Sequence, residues 1–161
     1  MEERQERRGD SDGDAAMNCT VDANVFVAAV RLEEEHYAVS RRFLQRARAE
    51  AVTVLCPTLV LPECAAAIAR PTGDAALVEE LVTLIESFPG LRLVIVDLSL
   101  ARRAAQIAMT HRLRGADSIY AAVAETFNAT LITWDTEMLQ RSPAVVPTLT
   151  PTEWVEQQRA R

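Results

Sequence analysis

The chain contains no lysine, and all 17 of its basic residues are arginine. This absence excludes every mechanism that depends on a lysine amine. The formal net charge is −6, and residues 1–16, with six acidic residues and three arginines, contribute −3 of it. The remaining −3 is spread over residues 17–161, so the chain lacks the bulk basicity of a protein that binds nucleic acid tightly through charge.

Cysteine is scarce, and long apolar runs are missing. The three cysteines, Cys19, Cys56 and Cys64, are odd in number and widely spaced, which is typical of small buried side chains and not of a disulfide or zinc framework. The longest apolar runs fall far short of the roughly 20 residues that span a bilayer. No apolar signal region follows the charged N-terminus, so we expect a soluble protein of the cytoplasm.

The overall amino-acid composition is typical of one globular domain. Apolar residues make up 49% and charged residues 25% of 161 residues, enough for one domain with a real core. Residues 1–16 have no apolar periodicity, so we expect a flexible tail there and the domain over residues 17–161. Removal of residues 1–16 should then leave folding and activity intact.

Strand and helix patterns alternate along the domain, which predicts an α/β fold of three layers with a central, mostly parallel sheet of about four to five strands. The run LRLVIVDL at 91–98 is predominantly apolar and predicts a strand covered on both faces. The first predicted strand begins at residue 19. Three further strands are predicted at 52–57, 130–135 and 144–148. The predicted helices follow the first strand as far as residue 30 and lie at 33–50, 58–70, 75–88, 99–112, 116–127, 136–141 and from about 151.

Four carboxylates are embedded among apolar or small residues: Asp22, Glu63, Asp117 and Asp135. Each of the three aspartates could simply cap a helix or favour its dipole. Glu63 is harder to explain in this way, because its neighbours at three and four residues are all apolar. Asp22 and Asp135 follow predicted parallel strands, whose carboxyl ends meet at one edge of the sheet, where ligands bind.

Carboxylates collected at one edge repel one another, by roughly 3 kcal/mol for a pair about 5 Å apart at an effective dielectric near 20. A divalent cation relieves this repulsion, and hard oxygen ligands suit Mg²⁺ or Mn²⁺. Such a site can polarise a phosphate and lower the pKa of a bound water, with one or two ions. The acids therefore predict a metal site for phosphodiester chemistry.

The order and context of these acids resemble the PIN-domain ribonucleases, most closely the VapC-type toxins of toxin–antitoxin pairs. The resemblance covers residues 17 to about 150 and rests on four segments: "VDANVFVAAV" with Asp22, "LVLPECAAAIAR" with Glu63, "LRGADSIYAAVAE" with Asp117, and "ATLITWDTEML" with Thr133 and Asp135. Many relatives carry Ser or Thr directly after the first aspartate, where this chain has Ala23.

The resemblance implies a Mg²⁺-dependent endoribonuclease, usually dimeric and held inactive by a small antitoxin. Asp22 and Asp117 are then the first candidates for direct metal ligands, with Glu63 and Asp135 holding the metal, its waters or a second ion. Asn24 and Thr133 are candidates to support them, although Asn24 could instead cap a helix.

Several side chains near these acids have two readings. Arg112 and Arg114 could bind RNA phosphates or be solvated. Glu137 could join the acids but is expected to be solvated. His36 and His111 are expected at the surface and not as a general base. For the dimer, the apolar helices at 58–70 and 75–88 are the expected surface, and an antitoxin is expected to place a cation, such as arginine, near the acids.

Other aspartate-containing α/β proteins compete with this interpretation. A receiver domain needs a lysine on a late strand, and a haloacid-dehalogenase-type phosphatase needs an aspartate where Asn24 stands. A dinucleotide-binding dehydrogenase needs a glycine-rich turn that "VDANVF" lacks. A catalytically inactive PIN-like binding module, and another metal-dependent nuclease acting on DNA or flap structures, remain alternatives.

Overall fold

The computed structural model of the protein describes residues 17–160. The predicted tail at 1–16 lies outside the described residues. The strands are β1 Asn18–Val21, β2 Thr53–Pro57, β3 Leu91–Val94, β4 Thr130–Ile132 and β5 Thr148–Leu149. The helices are α1 Ala23–Val30, α2 Tyr37–Ala49, α3 Val60–Thr72, α4 Ala75–Glu86, α5 Leu98–His111, α6 Gly115–Thr126, α7 Thr136–Arg141 and α8 Pro151–Arg159, with a 3₁₀ turn at Ser142–Ala144.

All five strands form one parallel sheet in the order β3-β2-β1-β4-β5. The predicted α/β architecture is confirmed. Strand β1 lies at the centre, and the chain proceeds to β2 and β3 on one side of it and to β4 and β5 on the other. The order of the strands therefore reverses between β1 and β4, which is the place where sheets of this kind bind ligands.

The core surrounds the three inner strands. β1 and β2 are buried apart from their first residues, and Leu131 and Ile132 of β4 are fully buried. Helix α6 packs on β1, β2 and β4 through a run of fully buried small residues, Ala121–Ala124. Small side chains allow this close approach of helix and sheet, and the approach sets where the first turn of α6 lies. Of the eight helices in residues 17–160, none is both long and apolar enough to cross a membrane.

The prediction for residues 91–98 was wrong in length and in environment. Strand β3 ends at Val94 and is an edge strand, so its residues are half-buried or exposed, and Ile95 beyond it is 76% exposed. Only β2 pairs with it, and the chain leaves the sheet when the Asp97 side chain caps α5 by accepting from the Leu100 N–H at 2.8 Å. An apolar run thus signalled a strand without signalling burial on both faces.

Other element boundaries also differ from the predictions. Residues 31–36 form turns, so α2 begins only at Tyr37. Helix α3 continues through Pro71 and ends where Gly73 takes the left-handed conformation, with φ of 66°. The last strand covers only residues 148–149, because the 3₁₀ turn occupies residues 142–144.

Candidate active site

The site lies where β1 and β4 end. Asp22 follows β1 directly, and its backbone N–H donates to the Ile132 carbonyl oxygen at 3.0 Å, which joins the two strand ends. Thr133 and Asp135 follow β4. The parallel sheet therefore places residues 111 positions apart in the chain beside one another, at the position where the strand order reverses.

A cleft of about 460 Å³ opens at this edge, and all four predicted carboxylates line it. We call it the acid cleft, after Asp22, Glu63, Asp117 and Asp135. Its other walls are formed by α1 and by the residues around His36 and Trp134. The structure thus brings together the four acids that the sequence singled out, while their roles as metal ligands stay a prediction.

Asp22 is buried and does not cap the helix that it precedes. Its side chain is not bonded to the N-terminal amides of α1, and Oδ2 instead accepts a hydrogen bond from Thr133 Oγ1 at 2.7 Å. Burial raises the pKa of Asp22 to about 7; the Thr133 hydroxyl opposes this rise, and the charges of the other three acids add to it. Capping, one of the two explanations open for Asp22, is therefore excluded.

Thr133 and Asn24 form the support of this carboxylate. The Thr133 hydroxyl, fully buried, donates to Asp22 and accepts from Asn24 Nδ2 at 3.2 Å and from the Asp135 backbone N–H at 3.0 Å. Asn24 Oδ1 in turn accepts from the Trp134 backbone N–H at 3.2 Å. Asn24 therefore ties the start of α1 to the segment after β4, in place of capping a helix.

Glu63 lies on α3 and faces the acid cleft, half-buried. The Tyr120 hydroxyl of α6 donates to Glu63 Oε2 at 2.6 Å, and Tyr120 itself is fully buried. Burial raises the pKa of Glu63, while the hydrogen bond from Tyr120 opposes the rise. The apolar neighbours of Glu63 thus marked a position against the core, from which the carboxylate reaches a polar cleft.

Asp117 is the least satisfied of the four acids. It lies in the first turn of α6, and its Oδ2 is buried with no hydrogen-bond partner among the described residues. Burial and then the charge of Asp135 raise the pKa of Asp117 to about 6, and Arg114 acts in the opposite direction. A buried carboxylate oxygen without a partner is costly, so this atom is suited to a ligand.

Asp135 does cap the helix that follows it. Oδ1 accepts from the Met138 N–H at 2.9 Å, and Oδ2 lies 3.8 Å from Arg114 Nη1. Arg114 also pairs with Glu137, which binds Arg141 as well and is not a wall of the cleft. Arg114 is thus engaged by acids, and Arg112 is exposed with its carbonyl accepting from Arg141.

A metal ion fits this donor set in chemistry. Besides Glu34, which pairs with Arg31, the cleft offers the four predicted hard carboxylates, one of them with an orphaned oxygen. Within residues 17–160, no three His, Cys, Asp or Glu side chains already converge into a group that could hold an ion. Mg²⁺ commonly binds one or two carboxylates and keeps several waters, so the residues fit a hydrated ion and not a cage built wholly of protein ligands.

Sequence reasoning missed three contributors to this region: Tyr120, Trp134 and the position of His36. Tyr120 and Trp134 were hidden inside segments quoted for their aspartates. His36, expected at the surface, lines the acid cleft and stacks on Trp134. No local pattern marked these contacts, because each joins elements distant in the chain.

Comparison with known families identifies the family to which this fold belongs. The family model described as PIN domain matches residues 19–142. The chain belongs to the PIN domain family. The predicted resemblance is confirmed, and it includes all four acids and the strands and helices that carry them.

Solved structures share this PIN fold at low sequence identity. VapC20 of Mycobacterium tuberculosis, described as a toxin that cleaves the sarcin–ricin loop, is 15% identical with a TM-score of 0.66, over 76% of this chain and 93% of that one. VapBC2 from Rickettsia felis, bound to a DNA fragment from its promoter, is 14% identical with a TM-score of 0.65, over 83% and 98%. A toxin–antitoxin complex from Klebsiella pneumoniae is 14% identical with a TM-score of 0.59, over 83% and 97%. A search of curated protein sequences gives no match.

Proposed function

We propose that this PIN domain is a divalent-metal-dependent endoribonuclease that hydrolyses RNA phosphodiester bonds as the toxin of a VapBC-type toxin–antitoxin pair. One observation carries the proposal. Four carboxylates from four separate segments line a single cleft at the point where the strand order of the sheet reverses, and burial raises the pKa of three of them. A purely structural role does not account for this convergence.

Mg²⁺ is the proposed ion, with Mn²⁺ as a substitute. Asp22 and Asp117 would hold it directly, and Glu63 and Asp135 would bind its waters or a second ion. When bound, a divalent cation would polarise the scissile phosphate and lower the pKa of a bound water. Its charge would also favour the ionised form of Asp22 and Asp117, whose pKa burial raises.

The protein's own contribution is to orient these oxygens. The Thr133 hydroxyl holds Asp22 Oδ2, and Tyr120 holds Glu63 Oε2. The N-terminus of α7 fixes Asp135 through the Met138 N–H. These hydrogen bonds orient the Asp22, Glu63 and Asp135 carboxylates before any ligand arrives.

RNA is the proposed substrate. Support comes from the PIN fold and from the similarity to VapC20, which is described as cleaving the sarcin–ricin loop. Arg112, exposed beside the first turn of α6, is proposed to contact RNA phosphates. Arg114 would do so only after release from Asp135 and Glu137.

A small antitoxin is the proposed partner, and a homodimer in the cytoplasm is the proposed state. The structural similarity to a toxin–antitoxin complex supports the partner. The excess of carboxylates in the acid cleft favours an antitoxin that brings a cation, such as arginine, close to them. The apolar helices α3 and α4 remain the proposed dimer surface.

The proposal is tested by comparing wild-type protein with Asp117→Asn. Induced expression of the wild type should arrest growth, and the Asn variant should not. Purified wild type should cleave structured RNA and leave DNA duplexes and flaps intact. Cleavage of DNA in preference to RNA would show that the substrate is DNA. Equal growth and equal RNA cleavage with wild type and with Asp117→Asn would reject catalysis and leave a binding module.

A further inference from the structure

An aromatic pair forms one wall of the acid cleft. The rings of His36 and Trp134 are stacked, with centroids 3.8 Å apart and planes 8° from parallel. Both residues line the same cleft as the four carboxylates. Trp134 stands in the chain between Thr133, which supports Asp22, and Asp135. Because Trp134 is the chain neighbour of both residues, the pair lies next to the proposed position of the scissile phosphate.

The tryptophan ring is held in place before any ligand binds. Its Nε1–H donates to Ser40 Oγ at 2.9 Å, and Ser40 is fully buried at the base of α2. Its backbone N–H donates to Asn24 Oδ1. A ring fixed by its own hydrogen bond, by an anchored backbone and by a stacking partner loses little conformational freedom when a ligand packs on it.

Charge alone gives RNA little to bind at this wall. Arg31 is the one arginine among the described residues that line the acid cleft, and two glutamates already hold it, Glu33 at 3.0 Å and Glu34 at 2.8 Å. The acidic residues that line the acid cleft are its four named carboxylates and Glu34. An aromatic surface can bind a nucleobase by stacking and without a charged contact, because every base has a π-face.

We propose that the His36–Trp134 pair is a nucleobase platform, on which an unpaired base of single-stranded RNA continues the stack beside the carboxylates. The inference rests on the proposed ribonuclease function and adds how the substrate is positioned. Stacking requires a base free of its own helix, so the platform selects looped or single-stranded RNA over duplex RNA. It sets position along the strand and not base identity.

Tryptophan fluorescence reports binding at this wall directly. The chain has two tryptophans, and Trp154 is 2% exposed and packed against Phe43, so a ligand-dependent change arises from Trp134. Titration of an oligouridine octamer into the wild-type full chain, in chelator, should quench the emission. An abasic oligomer of the same length and charge should not. Equal quenching by the two oligomers would overturn the platform.

Variants test the same wall through activity. Trp134→Leu should raise KM for single-stranded RNA, and weaken binding of a labelled oligomer in chelator, by about 5- to 150-fold with kcat little changed. Trp134→Phe keeps an aromatic face and should recover most of the loss. Phe127→Leu, at an aromatic residue 39% exposed outside the acid cleft, is the matched control and should match wild type.

The outcomes separate the inference from the function on which it rests. Wild-type cleavage with unchanged KM in Trp134→Leu would reject the platform and leave the ribonuclease. Base-dependent quenching without cleavage in any metal would reject the ribonuclease and leave a binding surface for RNA. If Trp134→Leu fails to fold, His36→Ala decides: weaker binding of the oligouridine but not of the abasic oligomer supports the pair, and unchanged binding counts against it.

Discussion

At the scale of single residues, the acids of the cleft make the free energy of unfolding depend on pH. Burial raises the pKa of Asp22 to about 7, against an ordinary value of 3.8. The native state therefore binds more protons than the unfolded chain between about pH 4 and pH 7. In this window the free energy of unfolding falls as pH rises, and the loss is complete above about pH 7.

Asp22→Asn should remove the part of this dependence that comes from Asp22, because the amide is neutral at every pH and can still accept from Thr133. In chelator at pH 8 the variant should be more stable than wild type, on the order of 4 kcal/mol. Denaturant unfolding between pH 4 and pH 8 measures the difference. Saturating Mg²⁺ should raise the stability of wild type more than that of the variant. Parallel pH profiles in chelator would contradict the raised pKa.

Thr133 provides a second test at this scale, because one buried hydroxyl serves Asp22, Asn24 and Asp135. Thr133→Val keeps the shape and removes the hydroxyl, which leaves one acceptor and two donors unsatisfied. We expect a loss of about 1 to 3 kcal/mol in the free energy of unfolding and at least a tenfold slower cleavage of RNA.

Thr133→Ser is the matched control, since it retains the hydroxyl and removes only a methyl group. Its cleavage rate should lie close to that of wild type. If Val and Ser substitutions reduced the rate equally, packing of the methyl group, and not support of Asp22, would be the role of this side chain.

Residue types predicted part of the site and not the rest. Glu63 and Asp117 were recognisable because carboxylates rarely stand among small and apolar neighbours. Capping proved right for Asp135 and wrong for Asp22, and no local signal separated the two. The difference arises from Thr133, which lies 111 positions from Asp22 in the chain. The pairing of β1 with β4 brings its hydroxyl to the Asp22 carboxylate, to which it donates.

At the scale of elements, apolar periodicity predicted the strands and helices with errors mainly at their ends. The clearest error, the apolar run at 91–98, came from treating sequence hydrophobicity as burial, whereas β3 lies at the edge of the sheet. The small residues of α6 explain its close packing on the sheet, where Ala121–Ala124 are fully buried.

This packing should be intolerant of larger side chains. Ala122→Leu would force bulk between α6 and the inner strands, and we expect a loss of about 1 to 3 kcal/mol in the free energy of unfolding. Ala105→Leu, on the exposed side of α5, is the control and should change stability little. Calorimetry or denaturant unfolding measures both. Equal stability of the two variants would show that α6 has room that the structure does not indicate.

At the scale of the whole molecule, the alternation of strands and helices was enough to predict a parallel sheet and its ligand-binding edge. The strand order was not predictable in this way, because it depends on which strands pair. That order decides the site: it puts β1 beside β4, and therefore Asp22 beside Thr133. The placement of His36 on Trp134 also emerges only when α2 packs in the folded chain.

The central claim is that the acid cleft cuts RNA with a bound divalent ion. The most direct test is the single-turnover cleavage rate of structured RNA at increasing Mg²⁺, for wild type and for Asp117→Asn of equal folded content by circular dichroism. Asp117 is the chosen position because its buried Oδ2 has no partner in the described part of the chain. We predict a rate that saturates with Mg²⁺ and vanishes in chelator for wild type, and a rate at least 100-fold lower for the variant, on the order of the loss when one contact to a catalytic centre is removed. Cleavage that persists in chelator, or equal rates for the two proteins, would contradict the account.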